Sequence, residues 1–261
     1  MLHPNGLFGW VDLVTTDVDA ATAFYLPLFG WDAEVIPTPM GPAYTMLRKD
    51  GKVVAGMGPQ PPGMAASGAP SMWNSYVLVD DIDATCAAVG RAGGMVVMPA
   101  MDVMTQGRMA MAADPSGAVV GLWQPGDHQG AELFNAPGSL TWNELQTRDL
   151  AAATPFYAEV FGWRWEDMGD GSGYLVAHLD TKEGDDTSNA GAMSMPPDVP
   201  AEVPSFWAVY FAVADVDESL LLATDLGGSV LFAPMQMGPG RFAGLTDPTG
   251  AVLMVGAFPA A

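Results

Sequence analysis

The stretch WVDLVTTDVDAATAFYLPLFGW, residues 10–31, returns at residues 142–163 as WNELQTRDLAAATPFYAEVFGW. Twelve of 22 positions are identical at a constant offset of 132. They include Trp10 and Trp142, Asp17 and Asp149, Tyr25 and Tyr157, and Trp31 and Trp163. A second match lies downstream. YVLVDDID (76–83) is echoed by YFAVADVD (210–217), and GRMAMAADPSGAV (107–119) by GRFAGLTDPTGAV (240–252). The chain is therefore a tandem duplication, residues 1–126 and 138–261, joined by a Gly-, Pro- and polar-rich linker over 127–137.

Each half holds two similar units. Every unit opens with an alternating strand: Phe8–Val14, Trp73–Val79, Leu140–Gln146 and Phe206–Val213. An Asp then stands where a helix N-cap belongs, at Asp17, Asp81, Asp149 and Asp215. Val18, Ala21, Phe24, Tyr25 and Leu28 recur at helical spacing. Pro27 and Pro155 predict kinked or shortened helices. Short strands follow at Asp32–Ile36, Tyr44–Lys49 and Lys52–Met57. The DPSG (114–117) and DPTG (247–250) sequences read as turns into each half's last strand. The pattern is βαβββ four times, an α+β chain.

Composition bounds the function. With 9 Lys+Arg against 30 Asp+Glu, the net charge is -21 over 261 residues. Phosphate contacts need surplus Lys and Arg, so nucleic acid is an unsuitable partner, and so is an anionic membrane. Hydrophobic residues are 49% and charged residues 15%, which makes the acid excess a coat on a globular core. One cysteine, Cys86, excludes an internal disulfide and a Cys-based zinc site. No signal peptide or long apolar run is visible, and a cytoplasmic location is the expectation. No Gly-rich phosphate loop is present.

The Asp-capped helix, the run FYxxxFGW and the late GRxAxxxDPxGA segment resemble the vicinal oxygen chelate superfamily, which holds glyoxalases, bleomycin-resistance proteins and dioxygenases. Two-domain actinobacterial glyoxalase-like or hydroxylase-type members, of the 27 kDa antigen kind, are the most similar in pattern. The resemblance covers nearly the whole chain. It implies tandem glyoxalase-like domains whose βαβββ units curl into half-open barrels. It also implies where a divalent metal would be held: seven residues before each capping Asp, and seven after the Asp of each DPxG. Those positions are Trp10, Asn74, Trp142, Ala208, Gly121 and Met254. None is His, Asp or Glu, the side chains that bind such ions at about 2.0–2.2 Å. The expectation is no metal and no other cofactor.

Alternation along the first strands puts Asp12 beside Trp10 and Glu144 beside Trp142. Each half thus offers an indole and a carboxylate on one face of a sheet. Asp12 and Glu144 are the candidates for acid–base work. Arg108 and Arg241 are repeat-matched candidates to pair with them. His3 and His128 fall outside the strands, whereas His178 aligns with Arg48, so both are candidates to line equivalent sites. Trp73, Trp123 and the methionines clustered at 95–111, 193–195 and 235–237 suit a deformable aromatic-lined pocket. The candidate ligand-binding set is thus Trp10, Arg48, Trp73, Asn74, Arg108, Gly121, Trp123, Trp142, His178, Arg241 and Met254.

Two functions follow. The first is metal-independent binding of a planar aromatic molecule or antibiotic, cationic in keeping with the acidic coat. That would serve sequestration, resistance or an accessory role in secondary metabolism, in a monomer or homodimer. The second is a metal-free isomerase, cyclase, lyase or hydroxylase that uses Asp12 or Glu144 as acid and base.

Overall fold

The structure is a computed structural model that describes residues 3–38, 41–182, 184, 186–237 and 240–258. The first half runs β1 (Phe8–Thr15), α1 (Val18–Phe29), β2 (Asp32–Ile36), β3 (Tyr44–Lys49), β4 (Lys52–Pro59), α2 (Pro62–Ala66), β5 (Met72–Leu78), α3 (Ile82–Arg91), β6 (Met95–Val103), β7 (Gly107–Ala113) and β8 (Val119–Pro125). The second runs β9 (Leu140–Thr147), α4 (Leu150–Phe161), β10 (Arg164–Asp167), β11 (Leu175–His178), β12 (Ser188–Ser194), β13 (Phe206–Ala212), α5 (Val216–Asp225), β14 (Ser229–Met237), β15 (Gly240–Thr246) and β16 (Val252–Ala257). These are the four βαβββ units read from the repeat.

The strands form two open, mixed, eight-stranded sheets, ordered β2-β3-β4-β1-β5-β8-β7-β6 and β10-β11-β12-β9-β13-β16-β15-β14. Neither closes into a barrel. In every unit the first strand pairs parallel with the last: Asp12 opposite Gly56, Tyr76 opposite Gly121, Glu144 opposite Gly191 and Tyr210 opposite Met254. A parallel pair needs a crossover, which the helix supplies.

Local chemistry sets the helix ends. Asp17, Asp81, Asp149 and Asp215 all cap as expected, each carboxylate accepting from first-turn N–H groups. Gly30 and Gly162 end α1 and α4 in the left-handed conformation, at φ 63° and 73°. Pro27 and Pro155 do not shorten these helices, which run on to Phe29 and Phe161. Among the described residues, no helix is long and apolar enough to cross a membrane.

The core is not organised by halves. One compact unit comprises Met1–Trp10, Ser75–Gly130 and Trp142–Ala208. The other comprises Val11–Asn74, Ala131–Thr141 and Val209–Ala261. Each takes strands and a helix from both copies of the repeat. In the second unit, Phe24, Tyr25, Phe29, Trp31 and Trp73 from the first half pack with Val209, Phe211, Val216 and Leu253 from the second. In the first unit, Val77, Ile82, Val120 and Leu122 pack with Phe156, Tyr157, Trp163 and Trp207.

A buried relay repeats in each unit. Trp73 Nε1 donates to Tyr25 Oη at 2.9 Å, and Tyr25 Oη donates to Asp247 Oδ2 at 2.9 Å. Trp207 Nε1 donates to Tyr157 Oη at 2.8 Å, and Tyr157 Oη donates to Asp114 Oδ2 at 3.0 Å. The second oxygen of Asp114 accepts from Ser116 and Ala118 within its own turn, as that of Asp247 does from Thr249 and Ala251. The DPxG turn therefore does more than reverse the chain: its Asp receives the Tyr of the other copy's FY motif. The paired glycines have a matching purpose. A Cβ on Gly94 would lie 2.5 Å from the Phe156 ring, and one on Gly228 2.7 Å from the Phe24 ring.

Replacing Tyr157 by Phe leaves both Asp114 Oδ2 and the Trp207 indole N–H buried without this partner. We expect a loss of about 1–3 kcal/mol in unfolding free energy, read as a lower urea midpoint.

Candidate functional site

In the first unit, β9 turns Leu145 into the core and Glu144 to the opposite face. Glu144 is buried, at 4% exposure. Its Oε2 accepts from Tyr174 Oη at 2.8 Å, and its Oε1 accepts from Gln146 Nε2. Trp142 Nε1 in turn donates to Tyr174 Oη at 2.9 Å. Indole, phenol, carboxylate and amide thus form one ordered chain. Glycine makes room for it: a Cβ at Gly191 would fall 1.9 Å from Tyr174 Oη and 2.8 Å from Trp142 Nε1.

The second unit carries the repeat-matched version. Val11 and Leu13 enter the core and Asp12 points the other way. Asp12 Oδ1 accepts from Asn74 Nδ2 at 2.9 Å, and its Oδ2 accepts from Tyr44 Oη at 3.4 Å. Gly56 lies beneath the Tyr44 hydroxyl, 1.8 Å from where its Cβ would be. Either site holds an acidic side chain with neutral donors on both oxygens.

The candidates from sequence fall into three groups. Asp12, Asn74, Glu144 and Trp142 belong to these networks. Arg108 and Arg241 do not pair with the carboxylates as their repeat match suggested. Arg108 binds Asp83 at 2.7 Å and Asp102 at 3.2 Å, and Arg241 binds Asp217 at 2.8 Å, all on the surface. A carboxylate one turn into the adjacent helix is simply nearer. These hydrogen bonds hold Asp83 and Asp217 below the usual carboxylate range. Arg48 reaches Glu34 at 2.9 Å, and His178 reaches Thr187 Oγ1 at 2.9 Å and Glu166 at 3.7 Å.

The third group is buried in packing. Trp73 sits in the core as part of the Tyr25 relay. Trp10 packs edge-on against the His128 ring, with centroids 4.3 Å apart. Trp123 lies 5.5 Å from the same ring and donates to the His128 carbonyl at 3.0 Å. Met254 is buried, whereas Met95, Met101, Met104 and Met235 are largely exposed, and the Met237 side chain lies outside the described residues. Cys86 is half-buried, and burial pushes its thiol up, against use as a nucleophile.

The family's metal positions do not suit a metal. The room left by Gly121 is filled by the Tyr76 ring, whose Cδ1 lies 2.1 Å from where a Cβ would be. Asn74 spends its amide on Asp12. Among the described residues, no three His, Cys, Asp or Glu side chains converge as ligands would.

Tyr44 and Tyr174, the partners of the two carboxylates, are not among the site residues expected from sequence. Tyr44 opens β3 and Tyr174 directly precedes β11, and the pairings β3/β4/β1 and β11/β12/β9 together bring each above its acid. Gln146 was legible by alternation, two residues beyond Glu144.

Open sheets, fourfold βαβββ units and matched carboxylate–tyrosine sites define a class. The model of the glyoxalase/bleomycin resistance protein/dioxygenase superfamily matches residues 7–122 and again 139–255. The chain belongs to that superfamily. It is 44% identical over 255 residues to the protein named "Putative glyoxylase CFP32" of Mycobacterium tuberculosis, covering 97% of this chain and 95% of the relative. It is 40% identical over 257 residues to the anthracycline biosynthesis protein DnrV of Streptomyces peucetius, covering 94% and 91%. Among solved structures, the Mn(II)-bound glyoxalase of Novosphingobium aromaticivorans matches with a TM-score of 0.65 at 15% identity, covering 98% of this chain and 83% of that one. That structure shares the fold.

Burial, followed by the neighbouring Glu144 charge, raises the Tyr174 hydroxyl well above its ordinary value of 10.0. Burial and the adjacent Asp do the same for Tyr25 and Tyr157. In the unfolded chain these phenols ionise near pH 10. Their contribution is therefore complete below about pH 10 and is lost as pH rises above it toward the folded values. We expect near-ultraviolet phenolate absorbance from these three to appear only together with loss of native circular dichroism.

Proposed function

We propose that this protein is a metal-independent binder of a planar aromatic small molecule, used in sequestration, resistance or an accessory step of secondary metabolism. The observation that supports it best is the Trp142–Tyr174–Glu144–Gln146 chain, with its Asp12–Tyr44–Asn74 counterpart. A partly exposed indole is held in one orientation by its N–H bond and presents a face for stacking. The carboxylates are acceptors held in place by these bonds, a chemistry that suits a ligand hydroxyl or amine. The net charge of -21 accords with a cationic ligand. The name of the Streptomyces relative points to polycyclic aromatic metabolites as the first ligands to try.

One observation favours a second reading. The Tyr174 hydroxyl bridges Trp142 and Glu144, so Glu144 could draw a proton through Tyr174 in a metal-free isomerisation, cyclisation or lyase step.

Tryptophan fluorescence titration with anthracyclines and simpler hydroxyquinones tests the first reading. Quenching that saturates in the wild type and weakens about tenfold in Glu144→Gln or Tyr174→Phe is the expected result. No saturable quenching across the panel refutes it. Product formation from the same panel, abolished in Glu144→Gln while binding persists, would select the second.

A further inference from the structure

The edge strand β6 is bulged twice against β7. Met95 lies opposite Ala113, Val96 opposite Ala112, Met98 opposite Met111 and Met101 opposite Met109, with register shifts between Val96 and Met98 and between Met98 and Met101. Each shift adds one residue to β6 and reverses the face that the following side chains take. Ala110 and Ala112 of β7 lie in the core, and Val96 and Ala100 of β6 pack against it. By alternation Met109 and Met111 lie on the other face. Residues directly opposite in a ladder share a face, so the two bulges bring Met95, Met98 and Met101, spaced by three, to that same side. Met98 with Met111 and Met101 with Met109 are cross-strand pairs, whose Cβ atoms stand about 4.5–5.5 Å apart. Met95 and Met101 are 60% and 50% exposed, and Met98, Met109 and Met111 are half-buried. Trp123 lies opposite Met109, and Met111 lies opposite Gly121, which the Tyr76 ring covers.

The second copy keeps this frame without the sulfur. Strand β14 has the same bulged register, with Ser229 opposite Thr246, Phe232 opposite Gly244 and Met235 opposite Phe242. Ser229, Phe232, Phe242 and Gly244 stand where the first copy has Met95, Met98, Met109 and Met111, and Met235 alone matches Met101. There the Phe232 ring fills the space over Gly244, with Cε1 2.4 Å from where a Cβ would be. The bulged ladder can therefore be packed by an aromatic ring over a glycine. Packing does not call for thioethers at these positions, and it does not account for one left half in solvent at Met101.

We propose that the methionine face of β6 and β7 is a binding site for a soft monovalent metal ion, Cu(I), taken by the thioether sulfurs of Met98, Met101, Met109 and Met111. A thioether is a soft, neutral donor. It selects Cu(I), whereas Zn(II), Mg(II) and Ca(II) require imidazole, thiolate or oxygen ligands. The ion carries one charge and needs no carboxylate in the set, and the net charge of -21 favours its approach. The indole of Trp123 beside Met109 adds an aromatic neighbour suited to a cation. Binding leaves the oxidation state unchanged. The site lies on β6 and β7, apart from the strands that bear Glu144 and its partners, and does not depend on the ligand proposed for them.

Cys86 is also a soft donor, so the full-length protein is titrated both as wild type and as Cys86→Ala. Cu(I) is added without oxygen in competition with bicinchoninate. Ag(I), a soft ion that is not oxidised under these conditions, is added to protein labelled with carbon-13 at the methionine methyls and followed by NMR. Saturable binding in both proteins is expected, with the methyl signals of Met98, Met101, Met109 and Met111 shifting together, that of Met235 staying in place, and Zn(II) shifting none of them. Met109→Leu/Met111→Leu keeps the side-chain volume and should weaken Cu(I) binding at least about tenfold, with native circular dichroism retained. Met98→Leu/Met101→Leu, on the edge strand, should do the same, and it replaces the first variant if that one does not fold. No binding by Cys86→Ala places the ion on the thiol and overturns the proposal. Unchanged affinity in the leucine variants, an equal shift at Met235, or equal binding of Zn(II) overturns it as well.

Discussion

The structure depends on a tyrosine from one copy of the repeat reaching an aspartate from the other. Tyr25 meets Asp247 and Tyr157 meets Asp114, each also taking an indole N–H from Trp73 or Trp207. A buried carboxylate is tolerated only when its oxygens are met. Here one oxygen closes the DPxG turn and the other receives the phenol, so the last strand's entry and the helix seat are set by a single side chain. This is why each compact core needs both copies of the duplication, and why neither sequence half carries a complete hydrophobic centre.

With one face of β1 and β9 committed to those cores, alternation leaves Asp12 and Glu144 on the opposite face. Their surroundings differ from a metal site in kind. Their oxygens accept from Tyr44, Asn74, Tyr174 and Gln146. The glycines at 56 and 191 let the phenols lie flat against the sheet. At position 121 the absence of a side chain admits the Tyr76 ring rather than a ligating carboxylate. The superfamily fold thus carries hydrogen-bonded aromatics beside both carboxylates.

Duplication also makes each half a control for the other. Glu34 and Glu166 occupy matched positions and each meets a side chain of the neighbouring strand, the Arg48 guanidinium in one copy and the His178 ring in the other. Where the copies diverge, at Thr16 and Arg148, only the second lays a guanidinium along the following loop, and in the first the Gln60 amide donates to the Ala69 and Pro70 carbonyls. Divergence within a shared frame isolates the side chain responsible.

Much of the fold was legible because it rests on local rules. Four capping aspartates marked the helix starts, and strands such as Asp32–Ile36 and Tyr44–Lys49 were bounded by their own alternation. The superfamily followed from motifs spaced along one chain. Of the site, the carboxylates were legible as repeat-matched acids, whereas their tyrosines were not, because strand pairing joins positions about 30 residues apart. The arginine partners were misjudged for the same reason: repeat equivalence says that two residues occupy like places, not what stands nearest them. By itself, then, the sequence determined the duplicated α+β architecture and the absence of His, Asp and Glu from the family's metal positions, since both are properties of residue type and spacing. Only the tertiary structure decided that the cores are shared between copies, which donors hold Asp12 and Glu144, and that Trp10 and Trp73 serve packing. Those outcomes depend on distances between side chains that no periodicity along the chain encodes.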